Sequence, residues 1–220
     1  MLKTQFKGAP ATAVIAALCC AVFVITAVQA RSLTDVVWDS WLGSNMILWG
    51  PLVDGPGYLR ALTAGFLHLD ITHLFLNMLL LAVFGPPIER QVGTGPFAVA
   101  YVAAGLAASA AVLAFNFAVP TAGASGALYA LMAIFVAVAS RRSADLRAPL
   151  VLIAVNVVYT FIAPSVSFWG HAGGLVAGAV LAWPLTSANA RVRWGTAVAG
   201  LVLAAVAVWS PTLPSSQMYT

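Results

Sequence analysis

The chain has 220 residues, of which 62% are hydrophobic and 7% charged, and its mean hydropathy is +0.97. Soluble domains are about half apolar and about a quarter charged, so these values exclude a soluble globular fold and require an integral membrane protein. The formal net charge of +4 does not point to nucleic acid, because the ten basic residues are scattered at the ends of apolar runs, where topology signals stand.

Residues 1–10 carry Lys3 and Lys7 and read as a cytoplasmic N-terminus. The apolar run Ala11 to Gln29 suits either a signal peptide cut after Val28-Gln29-Ala30 or a retained first span, and its length, greater than a usual signal core, favours the span. Cys19 and Cys20 are adjacent within it, about 100° apart on a helix, which suits neither a disulfide nor a metal site. From Arg31 to Asp70 comes the one long connection, holding Trp38, Trp41 and Trp49. Tryptophan at that density predicts a semi-ordered loop in the headgroup region with short amphipathic helices.

Further apolar runs follow at Ile71 to Phe84, Pro96 to Ala118, Gly126 to Ser140, Ala148 to Ala163, Phe168 to Leu185 and Thr196 to Trp209. With the first, these predict an all-α polytopic helical bundle: a core at 11–186, a linker and seventh span at 187–210, and a short polar tail at 211–220. An N-terminus in the cytoplasm puts Lys3, Lys7, Arg90, Arg141, Arg142, Arg147, Arg191 and Arg193 inside and only Arg31 and Arg60 outside. The positive-inside rule favours that orientation. It turns the Trp-rich loop, Ser125 and the Ala163 to Ser167 turn towards the outer face of the cell membrane.

The chemistry centres on Thr121 to Leu131, TAGASGALYAL. Gly123 and Gly126 flank Ser125 where an apolar helix begins. A helix start leaves backbone N–H groups unpaired, which suits a nucleophile whose product is an oxyanion. The same glycines and serine also suit a small-residue contact between membrane helices, so other residues must decide. The three histidines all stand in or beside apolar runs, where polar groups need a partner or a task. His73 and Asn77 are four apart and share a helix face, either bonding to neighbouring helices or presenting two donors to a site. His171 opens HAGGLVAG, with Gly174 and Gly178 on its own face. Packing of those glycines on Gly126 and Ala130 would bring His171 to Ser125 as general base to nucleophile. Tyr129, one turn below Ser125, is placed to stack on the imidazole. A metal site fits poorly, since His68 and His73 are five apart and zinc pairs on helices favour three or four. Every carboxylate belongs to a loop or span end, so a Ser-His dyad is expected in place of a triad.

Together these motifs resemble the rhomboid family of intramembrane serine proteases. Leu59-Arg60 with FLHLDITHLFLNM is similar to the family's first loop and second span, GASGALYALMA to its GxSG fourth span, and HAGGLVAG to its HxxGxxxG sixth span. The resemblance implies a rhomboid-like six-span core. It implies Ser125 as nucleophile and His171 as general base. His73, Asn77 and the backbone N–H of Ser125 are implied as the oxyanion hole, Tyr129 as support for His171, and His68, Arg60 and Glu89 as structural residues. Two positions depart from the family pattern: Leu59 where Trp is usual, and Gly170 where Ala is usual. Neither is a reacting group. The presence of both Ser125 and His171 sets the chain apart from inactive rhomboid-like members, which lack one or both.

The function so implied is hydrolysis of a peptide bond in or near a transmembrane segment. The partners are single-span membrane-protein substrates and the lipid bilayer, with no nucleic acid, cofactor or metal. Helix-breaking residues near the cut, and a small residue just before it, are expected of the substrate. The Ala163 to Ser167 loop is a candidate lid and the fifth span a candidate gate. The competing reading is a non-catalytic rhomboid-like chaperone or transporter that binds transmembrane segments with the same polar residues.

Overall fold

In the computed structural model, residues 6–163 and 166–210 are described, and the tail at 211–220 and part of the 163–167 loop lie outside them. Among the described residues nine α-helices follow in order: α1 Pro10–Ala30, α2 Trp41–Met46, α3 Arg60–Thr63, α4 Ile71–Val92, α5 Thr94–Phe115, α6 Ser125–Arg141, α7 Arg147–Ile162, α8 Phe168–Leu185 and α9 Ala190–Trp209. α1, α4, α5, α8 and α9 are long and apolar enough to cross a membrane. Exposed side chains such as Val28, Val151, Phe161, Val180 and Leu203 present the apolar outer surface of a multi-pass membrane protein. Cys19 is buried, Cys20 exposed, and both are free thiols.

α6 is apolar on all sides, and such a helix belongs in the middle of a bundle. Leu128, Leu131, Met132 and Ile134 are fully buried. The helix packs most extensively on α8 and also on α4 and α5, while α9 lies against α5 and α8, and α7 touches α6 and α8 only lightly. Thr160 is the one buried residue of α7.

Two boundaries differ from the sequence reading. The second apolar run stops at Phe84, before Gly85-Pro86-Pro87, yet α4 continues to Val92. Proline inside a helix costs about 3 kcal/mol, but Gly85, Pro86, Ile88 and Glu89 are buried there. A Cβ on Gly85 would lie 2.5 Å from Thr12 Cγ2, so packing against α1 holds the helix through its prolines. The seventh run begins at Thr196 by hydropathy, whereas α9 begins at Ala190, with Asn189 Oδ1 accepting from the Arg191 N–H at 2.9 Å. Arg191 and Arg193 end the apolar run without ending the helix, since arginine is a good helix former.

Glu89 ties α4 to the start of α1. Its carboxyl oxygens accept from the N–H of Ala11 (2.9 Å), the N–H of Thr12 (2.8 Å) and the Thr12 hydroxyl (2.6 Å). The group thus caps a helix N-terminus from another helix, where backbone donors and the helix dipole both favour it. Glu89→Ala leaves these donors unpaired in a buried setting and should cost about 1–3 kcal/mol. A lower midpoint of thermal unfolding, with activity per folded molecule unchanged, is the expected result.

The basic residues gather at this end of the bundle. Arg90 Nε donates to the Lys7 carbonyl (2.9 Å), Arg142 NH2 to Gln91 Oε1 (2.8 Å), and Arg141 Nε to the Thr186 hydroxyl (2.8 Å).

At the other end, the 31–70 connection is more ordered than its composition suggests. Arg60 donates to the carbonyls of Ser44 (2.8 Å) and Ile47 (3.0 Å), Val36 N–H to the Leu69 carbonyl (3.0 Å), and the Ser109 hydroxyl of α5 to the Ala61 carbonyl (2.7 Å). The structural part implied for Arg60 therefore has a physical basis: one guanidinium joins two turns of the loop. Leu59, the unusual residue beside it, is exposed and leaves these bonds intact.

Candidate active site

Residues 116–124 are non-helical backbone leading into the bundle, and such backbone is tolerated at membrane depth only where protein or water satisfies it. Here the 31–70 connection does so. Leu48 and Thr121 exchange two backbone bonds (3.1 and 2.8 Å), Gly50 N–H reaches the Phe117 carbonyl (3.0 Å), and Gly123 N–H reaches the Ala64 carbonyl (2.9 Å). The chain then turns into α6 at Ser125. α6 has 17 residues. At about 1.5 Å per residue it is about 26 Å long, short of the roughly 30 Å hydrocarbon core. A helix of that length with Arg141 at one interface would start short of the other.

Gly123 has φ +129°, a backbone conformation that side chains disfavour. A Cβ there would lie 2.8 Å from His73 Cε1, 2.9 Å from His73 Nε2 and 3.7 Å from Ser125 Oγ. The glycine thus keeps open the space between the serine hydroxyl and the imidazole of His73. The tautomer of His73 follows from its other nitrogen. The Leu69 N–H donates to Nδ1 at 3.4 Å, so Nδ1 is bare and the proton is on Nε2, the atom turned towards Gly123 and Ser125. Asn77 is buried; its amide donates to the His73 carbonyl at 2.8 Å. The second amide hydrogen remains, while Oδ1 has no partner among the described residues.

α8 meets α6 through glycines, as the spacing predicts. A Cβ on Gly174 would lie 1.9 Å from the Gly126 carbonyl oxygen, and one on Gly178 2.4 Å from Ala130 Cα. A Cβ on Gly126 would lie 2.5 Å from Ala108 Cβ and 3.2 Å from the Gly170 carbonyl oxygen. The backbone beside Ser125 therefore touches the backbone beside His171. Among the described residues, no hydrogen bond joins the Ser125 hydroxyl to His171, and such bonds commonly close only around substrate. The His171 ring is buried and stacks on Tyr129, centroids 4.0 Å apart and 19° between planes. Gly170, the second unusual residue, is closely surrounded: a Cβ there would lie 3.2 Å from Ser167 Oγ, which would have to give by a few tenths of an ångström.

His68 stands behind His73. It is fully buried in the turn before α4, with its ring edge-on to His73 at 5.1 Å. Burial, with the His73 ring beside it, pushes its imidazole down to about 3, so it is neutral at physiological pH. Neither ring nitrogen has a partner among the described residues.

One buried polar side chain beside these residues escapes the sequence reading. Thr160 of α7 places its hydroxyl 2.8 Å from His171 Nδ1 and 2.6 Å from the Tyr129 hydroxyl. A polar residue in the apolar run VVYTFI, four residues after Asn156, was the available signal.

The arrangement is thus a bundle of apolar helices with a serine at the start of one helix and a histidine on the helix that faces it. The rhomboid domain family matches residues 56–188, and the chain belongs to the rhomboid family. It is 35% identical over 154 residues to Rhomboid protease GluP of Bacillus subtilis (strain 168), covering 68% of this chain and 30% of that protein. It is 31% identical over 144 residues to RHOMBOID-like protein 6, mitochondrial, of Arabidopsis thaliana, covering 62% of this chain and 47% of that protein. A shorter match, 38% over 78 residues, joins it to Rhomboid-related protein 3 of Homo sapiens, covering 36% of this chain and 19% of that protein. The chain thus spans less than half the length of these relatives.

Proposed function

We propose that this protein is an intramembrane serine endopeptidase that cuts peptide bonds in or near the transmembrane segments of single-span membrane proteins. The observation that supports the reading is the space held open by Gly123, where a Cβ would lie 2.9 Å from His73 Nε2 and 3.7 Å from Ser125 Oγ at the start of α6. Ser125 Oγ attacks the scissile carbonyl as its proton passes to His171 Nε2, and the same nitrogen later returns that proton to the leaving amine. The tetrahedral oxyanion receives hydrogen bonds from His73 Nε2–H, the second amide hydrogen of Asn77 and the unpaired backbone N–H of Ser125. Water then releases the acyl-enzyme by the reverse sequence.

The clustering of Lys7, Arg90, Arg141 and Arg142 at one end supports an N-terminus in the cytoplasm of a cell-membrane protein. Ser125 then opens to the outer face. A helical peptide bond is hydrogen-bonded and shielded, so substrates should unwind at helix-breaking residues near the cut.

Cleavage of a single-span test substrate by the purified protein in liposomes tests the reading. Product at a defined bond supports it. Binding of the segment without any product, by a folded protein and across several substrates, would favour the chaperone alternative. Within that assay, His73→Ala and Asn77→Ala should each lower kcat about 100- to 1,000-fold with little change in KM, as expected for donors to a developing oxyanion. An increase in KM alone would assign them to substrate binding.

A further inference from the structure

We propose that Thr160 positions the general base: its hydroxyl accepts the Nδ1–H of His171 and so leaves Nε2 bare towards Ser125, making α7 part of the catalytic apparatus. The inference rests on the reading of Ser125 and His171 as nucleophile and base.

The oxygens of Thr160, Tyr129 and Asn156 form a triangle. Thr160 Oγ1 to the Tyr129 hydroxyl is 2.6 Å, the Tyr129 hydroxyl to the Asn156 carbonyl 2.5 Å, and Thr160 Oγ1 to that carbonyl 3.1 Å. Two hydrogens are on offer, one from each hydroxyl, because a carbonyl has none. If Thr160 gave its hydrogen to His171 Nδ1, only the tyrosine's would remain, and two of the three oxygen contacts would be bare. If Nδ1–H donates to Thr160, Thr160 donates to Tyr129 and Tyr129 to Asn156. Each of the three shortest contacts then holds a hydrogen, and only the 3.1 Å contact is uncovered. A chain of this kind is self-reinforcing in a buried setting. It is the second arrangement that puts a lone pair on Nε2, the atom that must take the serine's proton.

The proton balance is simple. The hydrogen from Ser125 Oγ travels to Nε2 and on to the leaving amine. The Nδ1 hydrogen stays on Nδ1 throughout, held by a neutral oxygen. Thr160 therefore orients the ring and fixes its tautomer without supplying charge, the part a carboxylate takes in a triad.

The placement has a consequence for α7. Thr160 is its one buried residue, while Val151, Val155, Val158, Phe161 and Ile162 are exposed. A helix so lightly held can shift, and any shift that carries Thr160 away releases Nδ1. His171 is a competent base only while α7 is seated.

The test compares Thr160→Val and Thr160→Ser with the natural protein in liposomes, measuring kcat and KM on a single-span substrate. It adds the nitrogen-15 NMR spectrum of labelled histidine, which reads the tautomer directly. Thr160→Val keeps shape and loses the hydroxyl, and should lower kcat about 10- to 100-fold with KM unchanged. Thr160→Ser should restore most of the loss. The natural protein should show His171 protonated on Nδ1, and Thr160→Val a mixture of tautomers. Full kcat in a folded Thr160→Val, or a natural His171 protonated on Nε2, overturns the proposal. Should the natural protein cleave nothing, the protease reading fails, and the tautomer measurement still decides the part of Thr160.

Discussion

Replacing Ser125 by Ala should abolish peptide-bond cleavage, and His171→Ala should bring the rate to the same floor. Each loss is about 10,000-fold or more, and the double variant should be no worse than either single one, because a nucleophile and its base act as one unit. The reason is local. Ser125 is the first residue of α6, where backbone N–H groups are left unpaired, and His171 is the one histidine on the helix that packs on Gly126. Quantifying product per folded enzyme in all three variants is the check. A Ser125→Ala protein that still cut the same bond would remove Ser125 from the chemistry.

Gly174→Ala should be the most disruptive of the conservative changes away from reacting groups. The added carbon would sit 1.9 Å from the Gly126 carbonyl oxygen and 2.7 Å from its carbon. These are backbone atoms at the head of α6, so relief requires the two helices to separate. Overpacking costs about 1–3 kcal/mol and more where backbone must move, and this contact belongs at the upper end. Activity should fall further than stability, since separation at Gly126 widens the gap between Ser125 and His171. Gly195→Ala on α9 is the control: no heavy atom lies within 4 Å of a Cβ there, so that variant should be neutral or up to about 1 kcal/mol more stable. Thermal midpoints and kcat/KM for both variants test the contrast. Equal behaviour of the two would show that the glycine contact between α6 and α8 does not set the site.

What could be read from the sequence was what periodicity and cost dictate. Gly174 and Gly178 share a face with His171, Gly126 and Ala130 form a small face next to Ser125, and small faces meet in membranes because they allow close approach. The packing of α6 on α8 follows from those spacings alone. Hydropathy misplaced the ends of α4 and α9 because it registers apolarity, whereas Gly85-Pro86-Pro87 stays helical through contact with Thr12, and Arg191 and Arg193 continue a helix begun by Asn189. Composition also under-read the 31–70 connection: its order comes from single long-range bonds, such as Gly123 N–H to the Ala64 carbonyl, which no local pattern encodes. Thr160 was missed for a related reason. Its partner lies eleven residues away across a turn, and a threonine inside an apolar helix normally satisfies itself on the carbonyl four residues back. Here that carbonyl, of Asn156, lies 3.1 Å from the hydroxyl oxygen, farther than the Tyr129 hydroxyl at 2.6 Å and His171 Nδ1 at 2.8 Å.

The central claim is that Ser125 is a nucleophile activated by His171 inside the bilayer. The most direct measurement is intact-mass and peptide mapping of the purified protein in liposomes after reaction with a fluorophosphonate, which bonds covalently only to an activated serine. The account predicts one adduct, on Ser125, formed in the natural protein and absent from both Ser125→Ala and His171→Ala. An adduct on another residue, or labelling of Ser125 at an equal rate without His171, would contradict it.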